Sequence, residues 1–129
     1  MGYKADGLRS ALDAAGHEGV SITYVEEPEP LGTAGAIKFA QEHLDERFLV
    51  LNGDTLADYD LSAEIAQHAA TGARATLALV PVEDPTAYGV VLTDDQKRVE
   101  AFLEKPSRED APADPRINAG AYVLEREVL

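Results

Sequence analysis

Phe48 to Asp54 reads FLVLNGD. A short unbroken apolar run that stops at Asn52-Gly53-Asp54 is the pattern of a strand buried on both faces, as in a parallel sheet. Asp60 then reads as an N-cap, and Leu61 to about Thr71 as a helix closed by Gly72. Ala75 to Val82 (ATLALVPV) is the next buried strand, with Pro81 near its end. Buried strands joined by a helix predict a crossover and a parallel sheet with helices on its faces.

The flanks extend this pattern. Upstream, Asp6 to Ala15 places Leu8, Leu12 and Ala15 at helical spacing and stops at Gly16. Ser21 to Glu26 (SITYVE) alternates in the manner of a strand, and Thr33 to Leu44 reads as a helix with Ala36, Ile37, Ala40 and Leu44 on one face. Downstream, Tyr88 to Thr93, a turn at Asp94-Asp95-Gln96, and Arg98 to Lys105 read as a hairpin. A polar loop from Pro106 to Arg116 leads to a last strand, Ile117 to Leu124, and Glu125 to Leu129 reads as the opening of a helix. The expected fold class is α/β, a mostly parallel sheet flanked by helices with a β-hairpin insertion. The chain begins in a helix with no strand before it and stops as another element begins, so it reads as part of a larger domain.

Composition bounds the function. The 129 residues suit one domain, and a hydrophobic fraction of 45% suits a packed core rather than disorder. No run of about 18 apolar residues is present, as a membrane span requires. Met1 is followed by Gly2, Tyr3 and Lys4, not by a secretory leader. There is no cysteine, which removes disulfides, thiolate metal sites and cysteine nucleophiles, and fits a cytoplasmic protein. With 24 acidic and 11 basic residues, the net charge of −13 disfavours nucleic acid and anionic membranes as partners. A phosphorylated small molecule stays open, given local help from a cation or a helix N-terminus.

Four stretches can carry chemistry. In Glu29 to Ala36 (EPLGTAGA), two glycines around a helix start let a ligand approach backbone N–H groups; the alternative is a turn and a helix start capped by Thr33. Leu51 to Thr55 (LNGDT) lies at the carboxyl end of a buried strand, where α/β sheets bind ligands and a carboxylate can hold Mg²⁺; the alternative is a polar turn. Phe102 to Pro106 (FLEKP) ends a strand in an acid and a base. Neighbours on a strand point to opposite faces, so both serve one pocket only if the strand ends or bends there, as Pro106 suggests; the alternative is an exposed strand end with solvated charges. Asn118 to Tyr122 (NAGAY) sets an amide and a glycine in an apolar strand, where a glycine also marks a bulge. His17, His43 and His68 have no partners at metal-ligand spacing and read as surface or helix-side residues.

Taken in order, EPLGTAGAI, LNGDTL, YGVV, FLEKPS and INAGAYVLE resemble the sugar-phosphate nucleotidylyltransferases, most closely their mannose-1-phosphate guanylyltransferase-like branch. The resemblance implies a Rossmann-like sheet and a reaction that joins a sugar 1-phosphate to a nucleoside triphosphate, giving a nucleotide sugar and pyrophosphate. It implies that Gly32, Thr33 and Gly53 lie on the nucleotide and that Asp54 binds Mg²⁺. Gly89, Glu104 and Asn118 would then meet the sugar, and Lys105 would hold its phosphate. Asp54 and Lys105 are the expected catalytic pair. The nucleotide and metal side would run over about residues 1–82 and the sugar-phosphate side over about 83–129.

The family's first strand, its opening Gly-Gly-x-Gly-Thr-Arg-Leu signature with the lysine that follows, and its second metal-binding aspartate have no counterpart in these residues. The expectation for the 129-residue chain alone is therefore weak or no turnover. The rival expectations are a catalytically inactive sugar-phosphate-binding or regulatory module, which pairs with a complete subunit or forms a homo-oligomer, and a fragment without a role of its own.

Overall fold

The computed structural model describes residues 5–16, 18–56 and 58–129. They form two compact units, Met1–Glu46 with Leu129, and Arg47–Val128.

In the first unit, helix α1 (Ala5–Ala15) and helix α2 (Gly32–Phe39) flank an extended segment. Ser21 to Glu26 is not a strand. Its alternation is real, because Ile22 and Tyr24 turn inward while Ser21 and Thr23 are exposed. What it faces is α1, not a backbone ladder. The Tyr24 hydroxyl donates to Asp13 at 2.6 Å, and the Arg9 guanidinium lies 5.1 Å over the Tyr24 ring. The Asp13 acceptor holds the Tyr24 phenol above its ordinary pKa.

Helix α2 starts at Gly32, one residue before the expected start, so Thr33 lies inside it and is not its cap. The N-cap position is Leu31, whose N–H donates to Glu27 Oε2 at 3.1 Å. The helix stops at Phe39 rather than Leu44. The Ala40 N–H is shared between the Ala36 and Ile37 carbonyls at 3.1 and 3.2 Å, and the chain tightens into a 3₁₀ turn over Gln41–His43.

The second unit holds one five-stranded sheet with strands β1 (Arg47–Leu51), β2 (Ala75–Pro81), β3 (Gly89–Thr93), β4 (Val99–Glu104) and β5 (Arg116–Glu125). Helix α3 (Leu61–Thr71) joins β1 to β2. Its ends are as expected. Asp60 Oδ1 accepts the Ala63 N–H at 2.9 Å, and Gly72 closes the helix at φ +60°, its N–H on the His68 carbonyl.

Sheet order departs from the expectation. Every strand pairing among the described residues is antiparallel. Tyr122, Val123 and Leu124 of β5 pair with β1 on one edge and with β2 on the other, so β5 lies between them. β1 and β2 therefore run in the same direction, as a strand–helix–strand unit requires, but the last strand of the chain is inserted between them. The parallel, Rossmann-like adjacency is not present in this unit. β1 is also not buried on both faces: Phe48 is buried, whereas Leu49 and Leu51 on the opposite face are 37% and 51% exposed. The hairpin β3–β4 is present, and β3 joins β5 at Val90↔Ile117. After β5 the chain forms a 3₁₀ turn, Arg126–Val128.

The core of this unit is Phe48, Val90, Val91, Ala119, Ala121 and Val123, with His68 fully buried beside them. The expectation of a surface or helix-side histidine is thus corrected for His68. Its Nδ1 lies 2.8 Å from Thr76 Oγ1 and its Nε2 3.0 Å from Glu125 Oε1, which also accepts from Arg47 Nε at 2.6 Å. A buried imidazole is retained because both ring nitrogens are bonded. The His68 and Arg47 hydrogen bonds hold the Glu125 carboxyl below the ordinary range. His17 lies outside the described residues.

Glu64, one turn before His68, is less well served. Both its carboxylate oxygens are buried without a hydrogen-bond partner, and burial pushes its pKa up. A carboxyl whose folded pKa is raised penalises folding wherever it is ionised, and the penalty vanishes below the ordinary carboxylate range. Glu64→Gln is expected to raise the Tm at pH 7, with no gain near pH ~4. Thermal melts at the two pH values check this; an unchanged Tm at pH 7 would contradict it.

Candidate functional site

The end of β4 is the most informative place. Glu104 pairs with Gly89 across the hairpin. A Cβ placed on Gly89 would meet Glu104 Oε2 at 3.2 Å, so the carboxylate lies over the glycine backbone. Lys105 then adopts φ +44°, an uncommon left-handed conformation for a lysine, with its N–H on the Tyr88 carbonyl at 3.0 Å. This turn ends the alternation of the strand. Lys105 Nζ comes within 4.0 Å of Glu104 Oε1, and both side chains remain mostly in solvent. Pro106, directly after the bend, is buried.

Asn118 belongs to the same row. Val90 pairs with Ile117, so one step along this antiparallel register brings Asn118 level with Gly89. Its amide first organises its own strand. Asn118 Oδ1 accepts the Gly120 N–H at 2.9 Å, and Nδ2 donates to the Tyr122 hydroxyl at 2.7 Å. One N–H and one lone pair of the amide are left for a ligand. Gly120 stands at φ +80° where the β2–β5 register shifts, so the strand bulges at Asn118–Ala121. Only glycine fits there, since a Cβ would lie 2.9 Å from Asn52 Nδ2 and 3.0 Å from Asn52 Cβ.

Asn52 opens the turn that carries Asp54. Its N–H donates to the Gly120 carbonyl at 2.8 Å, and Thr55 N–H closes the turn on the Asn52 carbonyl at 3.2 Å. Asp54 is exposed, and Thr55 Oγ1 is 3.5 Å from its Oδ1, at the limit of a hydrogen bond. Gly53 is exposed in the same turn. Tyr59, further along, donates its hydroxyl to the carbonyl of the buried Ala119.

The second unit thus gathers Gly89, Glu104, Lys105 and Asn118 into one row and ties the Asp54 turn to the adjacent bulge. Gly32 and Thr33 lie in the first unit, both exposed, with Gly32 at φ +70°. Two cavities of about 720 and 560 Å³ lie against α3, β2 and the hairpin; none of the site residues expected from the sequence lines either, and Tyr59 lines the smaller. Among the described residues no group of three or more histidine, aspartate or glutamate side chains could hold a metal. What Asp54 offers is a single unencumbered carboxylate. That donor suits a hard divalent cation that takes its other ligands from water and phosphate oxygens.

Tyr59 is the residue that sequence reading passed over, and Gly120 one that it noted as a bulge without a role in the site. The signal for Gly120 was Asn118-x-Gly120 inside an apolar strand, a side-chain turn within a bulge. The signal for Tyr59 was an amphipathic ring between two aspartates of a polar loop.

A strand-end acid–base pair, a bulged central strand and a carboxylate turn thus share one α/β unit. A family model described as "Nucleotidyl transferase" matches residues 2–129, and the chain belongs to that family. It is 47% identical over 112 residues to the mannose-1-phosphate guanylyltransferase of Mycobacterium tuberculosis, covering 86% of this chain and 30% of that protein. It is 38% identical to the mannose-1-phosphate guanyltransferase of Candida albicans, covering 100% of this chain and 36% of that protein. Among solved structures, HddC from Yersinia pseudotuberculosis complexed with GMP-PN superposes with a TM-score of 0.80 at 28% identity, over 99% of this chain and 55% of HddC. The chain thus spans about a third of the length of the curated relatives it matches.

No helix among the described residues is long and apolar enough to cross a membrane.

Proposed function

We propose that the protein transfers a nucleotidyl group to a sugar 1-phosphate, with mannose 1-phosphate and GTP as the substrate pair, giving GDP-mannose and pyrophosphate. The observation that carries this reading is the row of Gly89, Glu104, Lys105 and Asn118 at the end of the hairpin. The names of the similar proteins support the choice of sugar and base.

In this reading an oxygen of the sugar phosphate attacks the α-phosphorus of the triphosphate, and the bond to the leaving pyrophosphate breaks. The attacking oxygen is already ionised, so no general base is needed. The obstacle is repulsion between two anions, which a protein with a net charge of −13 does not relieve in bulk. Lys105 supplies a local cation for the sugar phosphate, and its left-handed turn aims it where Glu104 can accept from a sugar hydroxyl. Asn118 spends its remaining amide valences on the sugar, and Gly89 offers bare backbone. Asp54 would hold Mg²⁺, whose charge, when bound, would offset that of the reacting phosphates. Gly32, Thr33 and Gly53 are the residues this reading assigns to the nucleotide. The nucleotide and metal side covers about residues 1–82 and the sugar-phosphate side about 83–129. A cytoplasmic location suits a reaction that consumes nucleoside triphosphate.

Pyrophosphate release is expected to require both GTP and mannose 1-phosphate, and to be weak for the 129-residue chain by itself. Lys105→Met is expected to raise the KM for mannose 1-phosphate on the order of 10- to 100-fold, the loss of one charge-assisted contact. The KM for GTP should stay within about twofold, because Lys105 serves the other substrate. Release that is indifferent to the sugar phosphate would sink the reading.

A further inference from the structure

We propose that Tyr59 is a positioning residue of the transfer site, clamping the Asp54 turn to the β5 bulge that presents Asn118. This inference rests on the reading above for its function and on three contacts for its geometry. The Asn52 N–H is bonded to the Gly120 carbonyl at 2.8 Å. The Gly120 Cα lies so close to the Asn52 side chain that no Cβ fits between them. The Tyr59 hydroxyl is bonded to the Ala119 carbonyl.

These contacts anchor both ends of one segment to two adjacent residues of β5. Asp54 lies between the anchors, and Asn118 lies directly before the anchoring pair. Asp54 lies two residues from the Asn52 anchor, so its position is tied to that of Gly120. The metal-side carboxylate and the sugar-side amide therefore move as one piece. The Tyr59 tie has the larger leverage of the two ends. Ala119 is buried, so a carbonyl that loses the hydroxyl has no ready access to water. Tyr59 acts in this reading through the Ala119 carbonyl and hence Asn118.

Tyr59→Phe removes one oxygen and keeps the ring. In the purified protein it is expected to raise the half-saturating mannose 1-phosphate and the half-activating Mg²⁺ together, each about fivefold. A purely structural tyrosine would lower Tm and the active fraction and leave both constants unchanged, which would overturn the proposal. A rise in one constant alone would overturn it too, because the two sides would then not be coupled. Hydrogen exchange gives a readout free of turnover. Without ligands, the Asn52 and Gly120 amides should exchange faster in Tyr59→Phe than in the parent, while the α3 amides keep their rates. Equal exchange at Asn52 and Gly120 in the two proteins would refute the clamp. If the parent protein transfers nothing, the proposed reaction fails, and the exchange comparison still decides whether the clamp exists.

Discussion

Asp54→Asn is expected to lower transfer by two to three orders of magnitude, on the scale seen when a charge-stabilising group is removed from a site of this kind. The substitution keeps the size and most of the hydrogen-bonding shape of the side chain. It removes the negative charge that a hard cation needs, and an amide oxygen is a weaker ligand than a carboxylate oxygen. The turn should survive, because its closing bond, Thr55 N–H to the Asn52 carbonyl, is made by backbone alone. Asp54 contributes only the marginal Thr55 contact to local structure. The Tm should therefore stay within about one or two degrees, as expected for an exposed position. Initial rates at saturating GTP and mannose 1-phosphate, with Mg²⁺ varied, check the prediction. Unchanged activity at every Mg²⁺ concentration would remove Asp54 from the mechanism.

Gly120→Ala is expected to be the most damaging single methyl in the second unit. It meets two independent obstacles. The backbone stands at φ +80°, where an L side chain costs about 1 kcal/mol or more. The added carbon would also lie 2.9 to 3.1 Å from three atoms of Asn52, one of them the Cβ, which is fixed to the backbone and cannot rotate away. Relief requires moving the Asn52 turn or flattening the bulge, and either separates Asp54 from Asn118. A loss of about 2–4 kcal/mol is the expected range for strain combined with overpacking. Chemical denaturation measures that loss. Whatever fraction folds should bind mannose 1-phosphate poorly in calorimetry. A variant with parental stability would mean that the bulge relaxes without cost.

Local features were legible in the sequence because short-range chemistry decides them. Asp60 and Gly72 mark the ends of α3 through bonds made within a turn of each residue. The bend at Glu104-Lys105 was foreseen from Pro106 and from the need for two neighbours to share a face. The order of strands was not legible. A run such as FLVL is apolar whether it packs on both faces or on one, and nothing near Phe48 says that β5 will lie between β1 and β2. Ser21 to Glu26 shows the same limit: alternation assigns faces, but a strand also needs a ladder, and that depends on distant residues. His68 looked peripheral because its partners, Thr76 and Glu125, lie 8 and 57 positions away. The glycine of the bulge was read as weak for a related reason. Its meaning depends on Asn52, which comes from another strand end.

The insertion of β5 has a consequence for how the protein comes into being. The ladder between β1 and β5 joins residues as far apart as Arg47 and Glu125, a separation of 78 positions. Such distant pairings close slowly, because the intervening chain must be ordered before the contact rewards it. A ribosome finishes β1, α3, β2 and the hairpin before it delivers the strand that seats between them. Until then β1 and β2 lack the neighbour that separates them, and Asn118 and Gly120 do not yet exist. The β1–β5 and β2–β5 ladders and the bulge that presents Asn118 therefore form in the same late event, and a nascent chain arrested before Ile117 carries neither.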